Sequence, residues 1–284
     1  MNKSPLPSST WSSKLGFVLS AAGAAIGLGN IQRFPSVLVQ EGGGAFLLIY
    51  LLCVLFLGLP LVYSELRLGQ VSSSGPYGAY RYLSSRAPWS YLGIVPVLVA
   101  FFILSYYSVM TAWTVSFAWE LLSVDTNTKV KTFAELSQET SRSFAFFISL
   151  LLVLALVLLR GIRVGIENLC RVLMPLLFLL LIFLVMVSLT LPSAYEGLQT
   201  LFTVDFTRLS SRSLILALGQ AFFSLCIGEG VLITYGSYLD NKTPLLKTSI
   251  SIIALDTLVA LMAAVIIFPI IKFSKHYVEQ QFHH

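Results

Sequence analysis

Between Ser20 and Pro35 the chain reads Ser-Ala-Ala-Gly-Ala-Ala-Ile-Gly-Leu-Gly-Asn-Ile-Gln-Arg-Phe-Pro. An apolar run fills with glycine and then sets Asn30 and Arg33 at membrane depth. Lipid gives no water to a broken backbone, so an interrupted helix persists only where protein or a water-filled cavity receives its freed amides and carbonyls. Freed carbonyls can ligate a small cation, and freed amides can bind a carboxylate. The segment therefore reads as the centre of an ion-coupled transport site. The bland alternative for Gly23 and Gly27 is a small-xxx-small packing face, but Asn30 and Arg33 immediately downstream favour the broken helix.

A second segment repeats the design at 219–236, where apolar flanks enclose a glycine-rich middle with Gln220, Ser224, Cys226 and Glu229. Two broken segments in separated positions point to a midplane binding site between structural repeats. Asp256 lies inside the next apolar run. An ionised Asp at the centre of a span costs about 2.5–3.5 kcal/mol on insertion scales, which a bound cation would offset. The alternative is a structural Asp256, hydrogen-bonded to neighbouring helices.

The elements that must position these residues are membrane helices. Hydrophobic residues make up 56% of the 284 and charged residues 11%, with a mean hydropathy of +0.84, as in an integral membrane protein. Segments 15–39, 44–66, 90–122, 143–160, 170–191, 213–238 and 246–271 each hold enough apolar length to cross a bilayer. The first has no cleavage-type small-residue site and reads as a retained span. The pattern divides into a leader (1–13), a five-helix unit (14–191), the opening of an inverted copy (192–271) and a polar tail (272–284).

The net charge of +5 gives no nucleic-acid signal. Ten of the 18 Lys and Arg residues fall on the inner side if the N-terminus is cytoplasmic, and the short inner loops are the denser ones, which favours that orientation. Cys53, Cys170 and Cys226 have no paired spacing, and His276, His283 and His284 lie in the tail without a metal-ligand partner in a span. No His-Glu-x-x-His, Gly-x-Gly-Asp or Ser/His pairing occurs in the spans, so an intramembrane enzyme is not expected.

The stretch Gly23–Pro35 resembles helix one of the neurotransmitter:sodium symporter family, the LeuT-type sodium-dependent amino-acid transporters. Further similar motifs follow in order: Gly42-Gly-Gly-Ala-Phe46, Gly58–Gln70, Arg160-Gly-Ile, Gly165-Ile-Glu-Asn before Met174-Pro175, Gly219-Gln-Ala-Phe-Phe-Ser, Ile233–Tyr238 and Asp256-Thr-Leu-Val-Ala-Leu. The resemblance implies an all-α membrane protein with the LeuT-type inverted-repeat transporter fold, of which this chain offers the first five-helix repeat plus helices six and seven. The family usually has twelve spans, so a C-terminally truncated member is expected. The implied function is sodium-coupled symport of a small amino acid, impaired or lost in a seven-span chain. The alternatives are a non-transporting membrane interaction protein that pairs with an intact relative, or one piece of a split transporter completed by the missing half.

The resemblance also implies a ligand set. The first sodium position would use the Ala25 carbonyl, the Asn30 amide oxygen, the Ser224 hydroxyl with its carbonyl, and Asp256. The second would use the carbonyls of Gly23 and Ile26 and is half present, because its other ligands come from helix eight. Amides near Leu28 and Gly29, with the Tyr107 hydroxyl, would hold a substrate carboxylate. Carbonyls around Ala25, Phe223 and Ser224 would hold its ammonium group. Gly27 stands where monoamine carriers place an Asp, so an amino acid fits better than a monoamine. Asp256 stands where many relatives carry Asn, and its fixed charge implies that chloride is not required.

Cys226 and Glu229 depart from the family pattern within the pocket. Three accounts of Glu229 stay open: a polar or cationic substrate side chain, a protonated donor, or drift in an unused pocket. Arg33 resembles an outer gate arginine, with Gln220 able to approach it. Ser8 replaces the usual inner gate arginine, and Lys3 is the nearest basic residue upstream.

Overall fold

The computed structural model describes residues 11–84, 87–123 and 131–282. Ser8, Lys3, His283 and His284 lie outside the described residues. Among those described, the chain is mostly helical, without a strand beyond one isolated bridge between Gly43 and Val204. A segment surrounded by lipid must satisfy its backbone groups internally, and the helix does so for each apolar run.

Among the described residues, five helices are long and apolar enough to cross a membrane: Gly44–Ser72, Trp89–Ser123, Thr140–Leu159, Ile162–Leu189 and Leu245–Ser274. A sixth span forms if the bent pair Lys14–Ala25 and Gly29–Gln40, which meet at 57°, counts as one. The remaining apolar segment divides into Ser211–Ser224 and Val231–Gly236.

The fifth apolar segment begins earlier than its hydropathy indicates. Gly161 takes φ +76°, which reverses the chain at once, and the helix restarts at Ile162 with a wide π turn through Glu167. Arg163, Glu167 and Arg171 mask this start from an apolar count. At the other end, the helix that begins at Leu245 continues to Phe282, so most of the expected tail is helical backbone.

Leu245–Phe282 is the hub. It packs against both halves of the first broken span, against Leu59–Ser72, against Asn168–Leu189 and against the short helix Ala194–Phe202. Phe17, Phe34, Phe46 and Tyr50 are fully buried around it, and the buried small residues Ala260, Ala263 and Ala264 let neighbours approach closely. Thr140–Leu159 packs against Ile94–Ser123 and buries no residue completely.

The N-terminal end of the first span is anchored by polar contacts. The Trp11 indole N–H donates to the Tyr235 carbonyl at 3.2 Å. Fully buried Glu167 receives the Ser12 N–H at 2.9 Å and the Ser12 hydroxyl at 2.5 Å, and pairs with Arg171 at 2.8 Å.

Val231–Gly236 packs closely against Leu59–Ser72. A Cβ on Gly69 would sit 2.0 Å from the Ile233 carbonyl oxygen, so only glycine fits. Gly69→Val is expected to cost about 1–3 kcal/mol through overpacking, read as a lower melting midpoint of the detergent-solubilised chain. Gly219→Ala meets nothing within 4 Å and should leave that midpoint unchanged or slightly raised.

Candidate ion and substrate site

The first helix stops at Ala25, and Ile26 is extended (φ −74°, ψ 115°). In an unbroken helix the amides of Gly27, Gly29 and Asn30 would bond the carbonyls of Gly23, Ala25 and Ile26. Here they donate elsewhere. The Gly27 N–H meets Asn30 Oδ1 at 3.4 Å, the Gly29 N–H meets the Tyr107 hydroxyl at 3.2 Å, and the Asn30 N–H meets the Gly27 carbonyl at 3.1 Å. The carbonyls of Gly23, Ala25 and Ile26 are thereby released from helical pairing. They are three of the four carbonyls that the family resemblance implies as cation ligands, the fourth being that of Ser224.

The second break has the same logic. After Ser224 the chain tightens through Leu225, Cys226 takes a left-handed φ of +53°, and Gly228 and Gly230 also have positive φ. The Gly228 N–H, which a continuing helix would give to the Ser224 carbonyl, instead donates to Glu65 Oε1 at 2.8 Å. Cys226 Sγ reaches the Ala24 carbonyl at 3.3 Å, which ties the two breaks together.

Between the breaks, three polar side chains meet in a fully buried cluster. Asn30 Nδ2 donates to Asp256 Oδ1 at 2.7 Å and to Ser224 Oγ at 2.9 Å, and the Ser224 hydroxyl donates to Asp256 Oδ2 at 2.6 Å. Asp256 thus hydrogen-bonds both broken segments, as its structural alternative requires. That alternative leaves its charge unmatched: among the described residues no basic side chain pairs with it. A buried carboxylate beside released carbonyls and a hydroxyl is an all-oxygen donor set, which suits a small hard cation. The residues fit sodium in this respect. The Asn30 amide presents its nitrogen to Asp256, and a half-turn about its last bond exchanges nitrogen and oxygen.

A cavity of about 600 Å³ opens beside the cluster, walled by the stretch from Gly23 to Ile31 and by Tyr107, Phe223, Cys226 and Glu229. Leu28, Gly29, Tyr107 and Phe223 also line an adjoining vestibule of about 280 Å³, where Arg33 lies. A Cβ on Gly29 would sit 2.7 Å from the Phe223 ring, so glycine at this position lets the ring pack against the broken segment. Arg33 stacks on the same ring, 5.1 Å from its centroid. Gln220 is turned inward: its Nε2 donates to the Gly29 carbonyl at 3.1 Å, and its Oε1 is buried without a hydrogen-bond partner.

Glu65 has no assigned role in the sequence reading. A carboxylate in an otherwise apolar stretch of Gly44–Ser72 was the available signal, yet its partner, a backbone amide 163 residues away, has no sequence signature.

A model of the sodium:neurotransmitter symporter family matches residues 8–129 and 129–284. The chain is 38% identical to the uncharacterized sodium-dependent transporter YhdH of Bacillus subtilis, over 91% of this chain and 58% of that protein. It is 32% identical to the sodium-dependent neutral amino acid transporter B(0)AT3 of Rattus norvegicus, over 93% of this chain and 48% of that protein. The crystal structure of MhsT in complex with L-phenylalanine superimposes with a TM-score of 0.84 at 36% identity, over 92% of this chain and 60% of that one. The chain therefore spans between 48% and 60% of the length of these relatives. With its apolar helices, two breaks and LeuT-type all-α fold, this integral, multi-pass membrane protein belongs to the sodium:neurotransmitter symporter family.

Proposed function

We propose that this chain carries the sodium and amino-acid binding site of a sodium-coupled symporter. The observation that carries it is the buried Asn30–Ser224–Asp256 cluster beside the released carbonyls of both breaks. Sodium would be held by the Ala25 carbonyl, the Asn30 amide oxygen, Ser224 and Asp256, with Gly23 and Ile26 offering carbonyls to a second ion. The substrate carboxylate would take the Gly29 N–H and the Tyr107 hydroxyl, which already meet at 3.2 Å. Its ammonium would face the carbonyls around Ala25, Phe223 and Ser224. Gly27 offers no carboxylate to an amine, which favours a substrate that brings its own.

Substrate carboxylate and sodium favour each other's binding, and this cooperativity is the coupling. Each positive charge that moves inward gains about 2.3 kcal/mol per 100 mV of membrane potential. The relatives are described as transporters and not as enzymes. The N-terminus is placed in the cytoplasm, and 14–191 and 192–271 are taken as the first repeat and the opening of the second.

The test is binding of labelled amino acids to the purified chain in lipid nanodiscs, with sodium exchanged for potassium. If none of the twenty amino acids binds in a sodium-dependent way, the proposal fails. Tyr107→Phe removes one hydrogen-bond donor to a carboxylate, worth about 1.5–3 kcal/mol. Substrate affinity should fall about tenfold to a hundredfold, while sodium affinity without substrate stays the same. Chloride is proposed not to be required, because Asp256 supplies a fixed negative charge. Replacing chloride with gluconate should leave sodium-dependent binding unchanged, and stimulation by chloride would overturn that part.

A further inference from the structure

The cavity wall carries one charged side chain, Glu229. The rest of its inner surface is apolar or weakly polar: Ala100, Ile103, Leu104, Leu177 and Val231, with Thr111 and Cys226 between. Glu229 is partly buried and lies beside Cys226. Among the described residues it has no ion pair.

Its surroundings deepen the charge imbalance. The carboxylate of Glu65 is bound to the backbone amide of Gly228, the residue before Glu229. Glu65 uses Oε1 for this bond, and its Oε2 is buried without a hydrogen-bond partner. Arg33 is the basic residue of the adjoining vestibule, and it is stacked on Phe223. The two breaks therefore gather three carboxylates, Glu65, Glu229 and Asp256, and the cavity wall offers no basic side chain. Sodium would answer Asp256. Among the described residues no basic side chain answers Glu229.

An occupant that fills this cavity strips water from Glu229. With an apolar side chain, the carboxylate would be desolvated without compensation, which is strongly unfavourable. A side-chain ammonium or guanidinium would instead form a charge-assisted hydrogen bond with it. The site would then discriminate against neutral analogues, because they leave a buried charged group unpaired.

Resting on the symporter reading above, we propose that the substrate is an amino acid whose side chain ends in a positive charge, with Glu229 the specificity-determining carboxylate that receives it. The backbone carboxylate of the substrate sits at Gly29 and Tyr107, and its side chain crosses the cavity to Glu229.

The experiment compares L-lysine with L-norleucine, which keeps the same carbon chain and lacks the ammonium. Sodium-dependent binding of each is measured on the full chain in nanodiscs, alongside Glu229→Gln. The expected result is at least tenfold tighter binding of lysine, with the ratio falling towards one in Glu229→Gln because lysine binding weakens. Equal or tighter norleucine binding by the unaltered chain would overturn the assignment while leaving the symporter reading intact. A lysine preference that survives Glu229→Gln would overturn the role of Glu229. Absence of sodium-dependent binding by every amino acid would overturn both. The comparison in the unaltered chain decides the substrate class even if Glu229→Gln does not fold.

Discussion

Asp256→Ala is expected to lose sodium binding by more than a hundredfold, and sodium-dependent amino-acid binding with it. The carboxylate is fully buried, accepts from Asn30 at 2.7 Å and from Ser224 at 2.6 Å, and is the one charged member of the cluster. Removing one partner of a buried charge pair costs about 3–5 kcal/mol, because the other is left uncompensated. Here the stranded partner would be the ion. The readout is thermal stabilisation by sodium against potassium, since a ligand that binds the folded state raises its stability by mass action. Stabilisation by sodium equal to that of the unaltered chain would remove Asp256 from the site. Asp256→Asn keeps an oxygen and loses the charge, so its residual sodium binding should rise when chloride is added.

Glu65→Ala should weaken substrate binding by about tenfold to a hundredfold, although Glu65 is not expected to touch the substrate. Its Oε1 holds the Gly228 N–H at 2.8 Å, away from the Ser224 carbonyl that a helix would give it. A hydrogen bond to a charged acceptor contributes about 1.5–3 kcal/mol. Without it, the amide can close back on Ser224 and occupy a carbonyl that the site needs. Glu65→Gln retains an acceptor oxygen and should recover most of the affinity. Equal losses in both variants would assign Glu65 a purely electrostatic effect and refute the positioning role.

Much of this was legible in the sequence because membrane helices are written locally. About 20 apolar residues mark a span whatever surrounds them, so the apolar segments were located to within a few residues. Glycine-rich polar interruptions within 20–35 and 219–236 likewise announce broken helices, since lipid tolerates no unpaired backbone. The start of the fifth segment was less visible, because Gly161 turns the chain within one residue and the charged residues 163, 167 and 171 dilute the apolar signal.

By itself, then, the sequence determined the all-helical membrane class, the positions of both breaks, and the residue types gathered there. Each of these depends on composition within one stretch of chain. The tertiary structure decided which groups meet: Asn30 with Asp256 across 226 residues, Cys226 with the Ala24 carbonyl across 202, and Glu65 with the Gly228 amide across 163. It also turned Gln220 towards Gly29 and Arg33 onto Phe223. Hydrogen bonds act over about 3 Å and take any partner that packing brings within reach. The crossing of helices selects that partner, and no single stretch of sequence encodes it.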